Sequence, residues 1–587
     1  MKNIYSLLIL AAMILSCTQS PEQPDIILIN GRIWTGQDES HFTEALAIDS
    51  NRILQTGTSR EIEILAGKKT RIIDLKGKLV IPGFNDAHIH FLSGSLGLAE
   101  VDLTNVKSPE EMISRVVAFI QLNPGKKWIT GRGWQYTIFP TGLPAASLFE
   151  GMPTDLPILL RAYDGHSAWA NQRALELAGI NGKEKFSGFG KVVVDGKGNP
   201  TGALLEEAYD FVARLIPEQT REEKLNALRH GLKLATSLGI TSMQNASGSP
   251  EELSLYEELL ERNELTVRYA GAFSADETTS IKQIDQYTSH RNRLEKHGPM
   301  LSANNIKFML DGVIESHTAA MLTAYADVED GAKGEFALPL EKYNSLVSTF
   351  DKLGFRIMTH AIGDDGVREA LNAYERTAKE NPSRPRRHRV EHIETVSPND
   401  IPRFAQMGVL ASMEPIHADP GAMEVWAAAI GEKRLPNSFA WASLLDKRAY
   451  LVFSSDWPAC IDLNPIRGIH VAVNRRTPEG FPKDGWVVNQ KISIGQALLA
   501  YTRAGAYATF EENYKGELKA GQLADLVVLS EDLFTIDPMK IFETKVLMTF
   551  MDGKVTFQRD KFQGITRDKT SKSCFSNCGG ACGLPFL

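Results

Sequence analysis

The stretch Val80-Ile-Pro-Gly-Phe-Asn-Asp-Ala-His-Ile-His90 carries the reading of the fold. A short apolar run, residues 80–84, passes through a Pro-Gly pair and ends in polar, ligand-type side chains. In an extended strand, residues two apart point to one face, so His88 and His90 can grip a single ion side by side. The layout recurs downstream: residues 355–358 lead into His360, residues 389–391 into His392, and residues 451–453 into Ser454-Ser455-Asp456. Each run ends in an imidazole or a carboxylate, at the strand end where a parallel α/β barrel keeps its chemistry. Imidazoles with one carboxylate suit Zn²⁺ or a similar first-row ion.

Working outward, apolar runs at 157–160, 240–243, 306–310, 355–358, 389–392, 409–413 and 450–453 alternate in part with helical patterns such as 222–238, 340–353 and 367–380. Strand–helix alternation on this scale predicts an α/β fold, a (β/α)8 TIM-like barrel with insertions. Both chain ends have another texture. Residues 25–33, 45–49, 52–56 and 70–74, and later 523–529, 546–550 and 554–557, are short β-rich runs. Asn30-Gly31 and Asp552-Gly553 supply turn chemistry between them. A small β-sandwich domain formed by both ends is therefore expected. The resulting division is a signal peptide (1–16), a lipidated linker (17–24), sandwich (25–83), barrel (84–512), sandwich (513–560) and a flexible cysteine-containing tail (561–587).

The first residues read as an export signal. Lys2 precedes an apolar run, residues 4–15, too short to span a bilayer, and the run ends in Leu15-Ser16-Cys17. This resembles the lipobox of bacterial lipoproteins, which implies lipidation of Cys17 and a membrane-anchored protein facing the periplasm. Of five cysteines, Cys574, Cys578 and Cys582 lie in the Gly- and Ser-rich tail in a spacing that matches no zinc pattern. The 587 residues carry a net charge of −8, with 43% hydrophobic and 23% charged side chains. No long basic or basic–aromatic run points to nucleic acid, and the short basic segment 384–389 reads as a solvated loop before a strand.

Across residues 25–557 the motifs IPGFNDAHIH, GRGW (131–134), DGHSAWANQRAL (164–175), KFMLDGVIESHTAA (307–320), HAIGD, RVEHIE, SSDWP and GQLADLVVL stand in barrel order. Together they resemble the amidohydrolase superfamily, and within it the amidohydrolase-3 branch that includes N-substituted formamide deformylases. The resemblance implies that His88, His90 and Asp456 bind the more buried metal, and that His360 and His392 bind a second. It also implies that Lys307 is carboxylated and bridges them. A plain reading of Lys307 is a lysine salt-bridged near Asp311. One or two divalent ions, zinc above all, are the expected cofactor. Relatives often carry Arg at the position of His317 and another residue at that of Glu414, which leaves substrate choice open.

The chemistry implied is hydrolysis of a carbon–nitrogen bond, other than a peptide bond, in a small amide. Water whose pKa the metal lowers attacks the carbonyl carbon, with Asp456 as general base and then acid. His166 is a candidate for holding the oxyanion or substrate. Trp134, Trp169 and His317 are candidate pocket residues, with Tyr136 and Glu206 beside them. A cyclic-amide hydrolase or a deaminase of the same superfamily is the runner-up, and a non-catalytic periplasmic binding protein stands further off. Homo-oligomerisation is compatible with the chain, and nucleic acid is not an expected partner.

Overall fold

The computed structural model describes residues 23–560 and 562, apart from 105, 140–141, 146–147, 149–153, 163–166, 187–189 and 461. Cys17, His166, Cys574, Cys578 and Cys582 lie outside the described residues. Among the described residues no helix is long and apolar enough to cross a membrane.

Eight parallel strands form the barrel: β1 (Phe84–Ile89), β2 (Ile240–Asn245), β3 (Arg268–Ser274), β4 (Leu301–Met309), β5 (Arg356–Ala361), β6 (Arg389–His392), β7 (Leu410–Met413) and β8 (Tyr450–Phe453). They are hydrogen-bonded in chain order. At the seam the Asp456 backbone N–H, just past β8, donates to the His88 carbonyl at 2.8 Å. β1, β2, β5, β6 and β7 are buried along their whole length.

Two assignments from the sequence change. Residues 157–160 belong to Ile158–Ala162, which sits in a separate six-stranded sheet inserted between β1 and β2. The barrel strand missing from the sequence reading is β3, whose RYAGAFS holds three small residues and little β-branched bulk. Small residues lower β-propensity, so only tertiary packing identifies this segment as a strand.

The opening stretch is a junction. Leu79–Pro82 pairs antiparallel with Leu526–Leu529, Val80 opposite Val528 and Ile81 opposite Val527, in a six-stranded sheet built from both chain ends. Gly83 then turns the chain into β1, and a Cβ there would run into the Thr241 side chain. A four-stranded sheet from the N-terminal part alone packs on this one. Leu28, Leu46 and Ile48 share a core with Val80, Leu526, Val528 and Phe550. The result is the small sandwich formed by both ends.

The basic segment is not merely solvated. Arg384, Arg386 and His388 converge on the buried Asp351 carboxylate at 2.6, 3.1 and 3.2 Å, and Arg387 pairs with Glu512 at 2.6 Å. Arg389 points into the barrel. Every cation of the run is consumed internally.

Candidate metal centre

The C-terminal ends of β1, β4, β5, β6 and β8 deliver His88, His90, Lys307, His360, His392 and Asp456 to the same end of the barrel, His90 and Asp456 just past their strands. Asp456 Oδ1 lies 3.4 Å from His88 Nε2 and 3.2 Å from His90 Nε2, and Lys307 Nζ lies 3.2 Å from His88 Nε2. Two ligand atoms about 2.0–2.1 Å from a tetrahedral ion stand about 3.3 Å apart, so this spacing fits a shared divalent ion. Asp456 Oδ1 is buried and has no hydrogen-bond partner among the described residues. A buried carboxylate oxygen facing two imidazole nitrogens is the chemistry of a cation site.

Each histidine is oriented from behind. His88 Nδ1 donates to Glu391 at 2.7 Å, and Glu391 is held in turn by Arg389 Nε at 2.9 Å. His90 Nδ1 meets Ser247 Oγ at 2.7 Å. His392 Nδ1 donates to Glu414 at 2.8 Å, while Ser454 Oγ donates to the other Glu414 oxygen at 2.9 Å. These bonds leave the Nε2 lone pairs free for a metal. His360 is held the other way: Nε2 donates to the Gly312 carbonyl at 3.2 Å, leaving Nδ1, and its ring centre is 4.4 Å from that of His392.

Burial keeps the His88, His360 and His392 imidazoles neutral. It pushes His88 down to about 4, with the Lys307 ammonium adding to the effect, and His392 down to about 3. Burial also lowers the Lys307 ammonium, against the pull of Glu391, Asp456 and Glu414. Lys307 has no bond to Asp311, which instead accepts the backbone N–H groups of Ala320, Ile362 and Gly363 at 2.9–3.0 Å.

Two residues matter more than the sequence reading allowed. Glu414, where relatives often differ, is buried among the histidines behind the centre. His417, in the turn Pro415–Ala418 after β7, was missed. Its Nε2 lies 3.5 Å from Asp456 Oδ2, and Glu394 takes its Nδ1 at 3.1 Å. Burial opposes charge on His417, but Cys460, Asp456 and Glu394 together raise its pKa well above the ordinary value. The available signal was the Glu414-x-x-His417 spacing, which one helical turn brings to a common side. Among the described residues three ligand-type clusters result: His88, His90 and Asp456; His392, Glu414 and His417; and His88, Glu391 and Glu414.

The candidate pocket residues fare differently. Trp134 is fully buried in the core of the inserted sheet, and its indole N–H donates to the Leu160 carbonyl at 2.8 Å, so it offers a ligand no surface. Trp169 is buried in the same core. Tyr136 shares a hydrogen bond with Ser167 at 2.8 Å, and Glu206 is half-buried in a 3₁₀ turn. His317 pairs with Asp327 at 2.9 Å, its ring against Tyr325.

Residues 71–557 match the model of a family described as the amidohydrolase family. The chain belongs to the amidohydrolase family. A relative from Arabidopsis thaliana, Protein LONG AFTER FAR-RED 3, is 31% identical over 90% of this chain and 91% of its own. The N-substituted formamide deformylase of Arthrobacter pascens is 23% identical over 91% of this chain and 98% of its own. Among solved structures, an uncharacterized metal-dependent hydrolase from Pyrococcus furiosus superimposes with a TM-score of 0.67 at 25% identity, covering 87% of this chain and 100% of that one. This amidohydrolase is a metal-dependent hydrolase, and its ligand-type side chains stand at the strand ends where the fold keeps its chemistry.

Proposed function

We propose that this amidohydrolase cleaves a carbon–nitrogen bond, other than a peptide bond, in a small N-acyl compound. The observation that carries the reading is the convergence of His88 Nε2, His90 Nε2 and Lys307 Nζ around the unpartnered Asp456 Oδ1. A divalent ion there, zinc being favoured by the donor set, supplies Lewis acidity and lowers the pKa of water. His88, His90 and Asp456 would hold one such ion, and His360 and His392 would hold a second. Asp456 Oδ2 takes the proton of the attacking water and returns it to the departing nitrogen. His417 Nε2, 3.5 Å away, steadies that oxygen. The name of the Arthrobacter relative supports an acylated amine as the substrate class.

Lys307 completes the charge. Four neutral imidazoles and one carboxylate are a poor match for two dications in a dry site. Addition of CO₂ to the neutral Nζ forms an N–C bond, releases one proton and creates a second anionic ligand. Lys307→Ala is expected to lose most activity and at least one metal equivalent, with part of both restored by short carboxylic acids. Native mass measurement of the wild type should show the added carboxyl group. An unmodified lysine in fully active, metal-loaded protein would refute this part.

The broader test is a panel of N-formyl and N-acyl amines, cyclic amides and aminopurines, run with metal-replete and chelator-stripped protein. Amine release from the acyclic amides, abolished by stripping and restored by zinc, is expected. Turnover of cyclic amides or aminopurines alone moves the assignment to the runner-up, and turnover by stripped protein sinks the metal mechanism. We further propose that Cys17 anchors the protein to the membrane facing the periplasm, on the strength of the apolar run that ends there. Cys17→Ser should then release a soluble form, and a wild type without acyl mass would end that proposal.

A further inference from the structure

A broad cleft of about 850 Å³ runs between the inserted sheet and the loops after β7 and β8. A smaller space of about 420 Å³ has His90 on its wall. Arg132, Pro458 and Ala459 line both. Arg132 Nη2 donates to the Pro458 carbonyl at 3.0 Å, which fixes the guanidinium two residues from Asp456 in sequence.

The local backbone explains why this arginine faces outward. Strand Ile129–Trp134 pairs in parallel with Ile158–Ala162. Alternation would put Arg132 and Trp134 on one face. The pairing slips by one residue at Gly133, whose φ is +102°, and a Cβ there would stand 2.7 Å from Thr104 Oγ1. This bulge sends Trp134 into the core and leaves Arg132 on the cleft side.

Two like charges face each other there. Arg132 lies directly opposite Arg161 across the strand pair, and like charges so placed repel. Arg161 is met by Glu100 at 3.3 Å. Arg467, also on the cleft, is matched by Asp419 at 2.8 Å and Asp462 at 3.5 Å. Arg132 has no ion pair within 4.0 Å among the described residues; its described partner is a carbonyl oxygen. Glu252 shares the smaller space, but one of its carboxylate oxygens is turned to the Tyr256 and Tyr269 hydroxyls at 3.4 and 3.2 Å. Among the described residues the half-buried Arg132 thus has no direct ion pair, Glu100 and Asp102 acting on it only from a distance, and it stands beside the metal centre with a second guanidinium next to it.

We infer that Arg132, assisted by Arg161, is the subsite for a carboxylate on the substrate, so that the compound hydrolysed is an acidic N-acyl amine and not a neutral one. This rests on the proposed amide hydrolysis for the reacting end, whereas the anion subsite stands on its own geometry. A guanidinium fork matches a carboxylate with two parallel hydrogen bonds. With the carboxylate on Arg132, a short chain reaches past Pro458 toward His90 and Asp456.

The test measures binding and turnover separately on zinc-loaded protein. Glutarate and its uncharged diamide, glutaramide, are titrated calorimetrically against wild type, Arg132→Gln and Arg161→Gln. N-acetyl-β-alanine and its carboxamide are compared as substrates. Glutarate should bind more tightly than glutaramide, and Arg132→Gln should weaken it by about 10- to 100-fold. Arg161→Gln, at an exposed position where folding is not at stake, should weaken it several-fold. The wild type should prefer the acid over its carboxamide, and that ratio should collapse in Arg132→Gln. Glutarate binding that is no tighter than glutaramide binding, or that is equal in all three proteins, overturns the inference. Arginine-dependent glutarate binding without turnover of any amide would leave the subsite standing and remove the hydrolysis reading. Turnover indifferent to the carboxylate would do the reverse.

Discussion

Behind the centre, carboxylates do for the imidazoles what a metal cannot do for itself. Glu414 and Glu391 accept hydrogen bonds from the Nδ1–H groups of His392 and His88 and so fix which nitrogen presents its lone pair. Glu414 is pushed up to about 7 by burial, with Asp456 and Glu391 adding to the rise against His88 and His417, so its charge is sensitive to the surrounding cations. Glu414→Gln keeps the shape and the acceptor oxygen but removes the negative charge that makes the imidazole a stronger ligand. Metal affinity should fall by about 10- to 100-fold, read by competition with a chelating dye, while the circular dichroism spectrum stays that of the wild type. Unchanged affinity would mean that Glu414 only fills space.

At the scale of elements, helix Leu340–Lys352 and the segment leading to β6 are clamped by one carboxylate. Burial opposes the charge on Asp351, but hydrogen bonds from His388 and Asn381 and the charge of Arg384 hold it down at about 2, below the unfolded value near 3.8. A depressed folded value contributes stability above the unfolded pKa, and that contribution is lost as pH falls through the folded one. Denaturant midpoints should therefore decline between about pH 4 and pH 2 in the wild type. Asp351→Asn should be destabilised at neutral pH, where Arg384 and Arg386 lose their ion-pair partner, and should show a flatter acid limb. A parallel acid limb in both proteins would remove Asp351 from the account. The same clamp explains the misread basic run: charge counting along a sequence does not reveal a buried anion on another helix.

Over the whole molecule, sandwich and barrel are joined by a buried ion cluster as well as by the chain. Arg268, which opens β3, donates to Asp525 at 2.7 and 3.0 Å and to Asp552 at 2.9 Å. Both aspartates belong to the C-terminal part of the sandwich, and Arg268 is only 2% exposed. Removing one partner of such a pair leaves a buried charge unmatched, at a cost of about 3–5 kcal/mol. Asp525→Ala should lower the unfolding midpoint of sandwich and barrel together. Barrel unfolding unchanged beside a loosened sandwich would show that the two are independent.

The sequence by itself determined the family, the barrel and the ligand-type residues His88, His90, Lys307, His360, His392 and Asp456. Those features are local: a strand end followed within a few positions by an imidazole or carboxylate, repeated in barrel order. The sandwich was legible for the same reason, since short alternating strands and their turns are written in adjacent residues. What the tertiary structure alone decided depends on residues far apart in the chain. It showed β3 to be a strand despite its small side chains, because burial on both faces, not propensity, holds it there. It moved Ile158–Ala162 out of the barrel, turned Trp134 inward through the Gly133 bulge, and placed Glu414 and His417 around the ligands. It also set Arg132 against Arg161, a pairing of two residues 29 positions apart that only strand register creates.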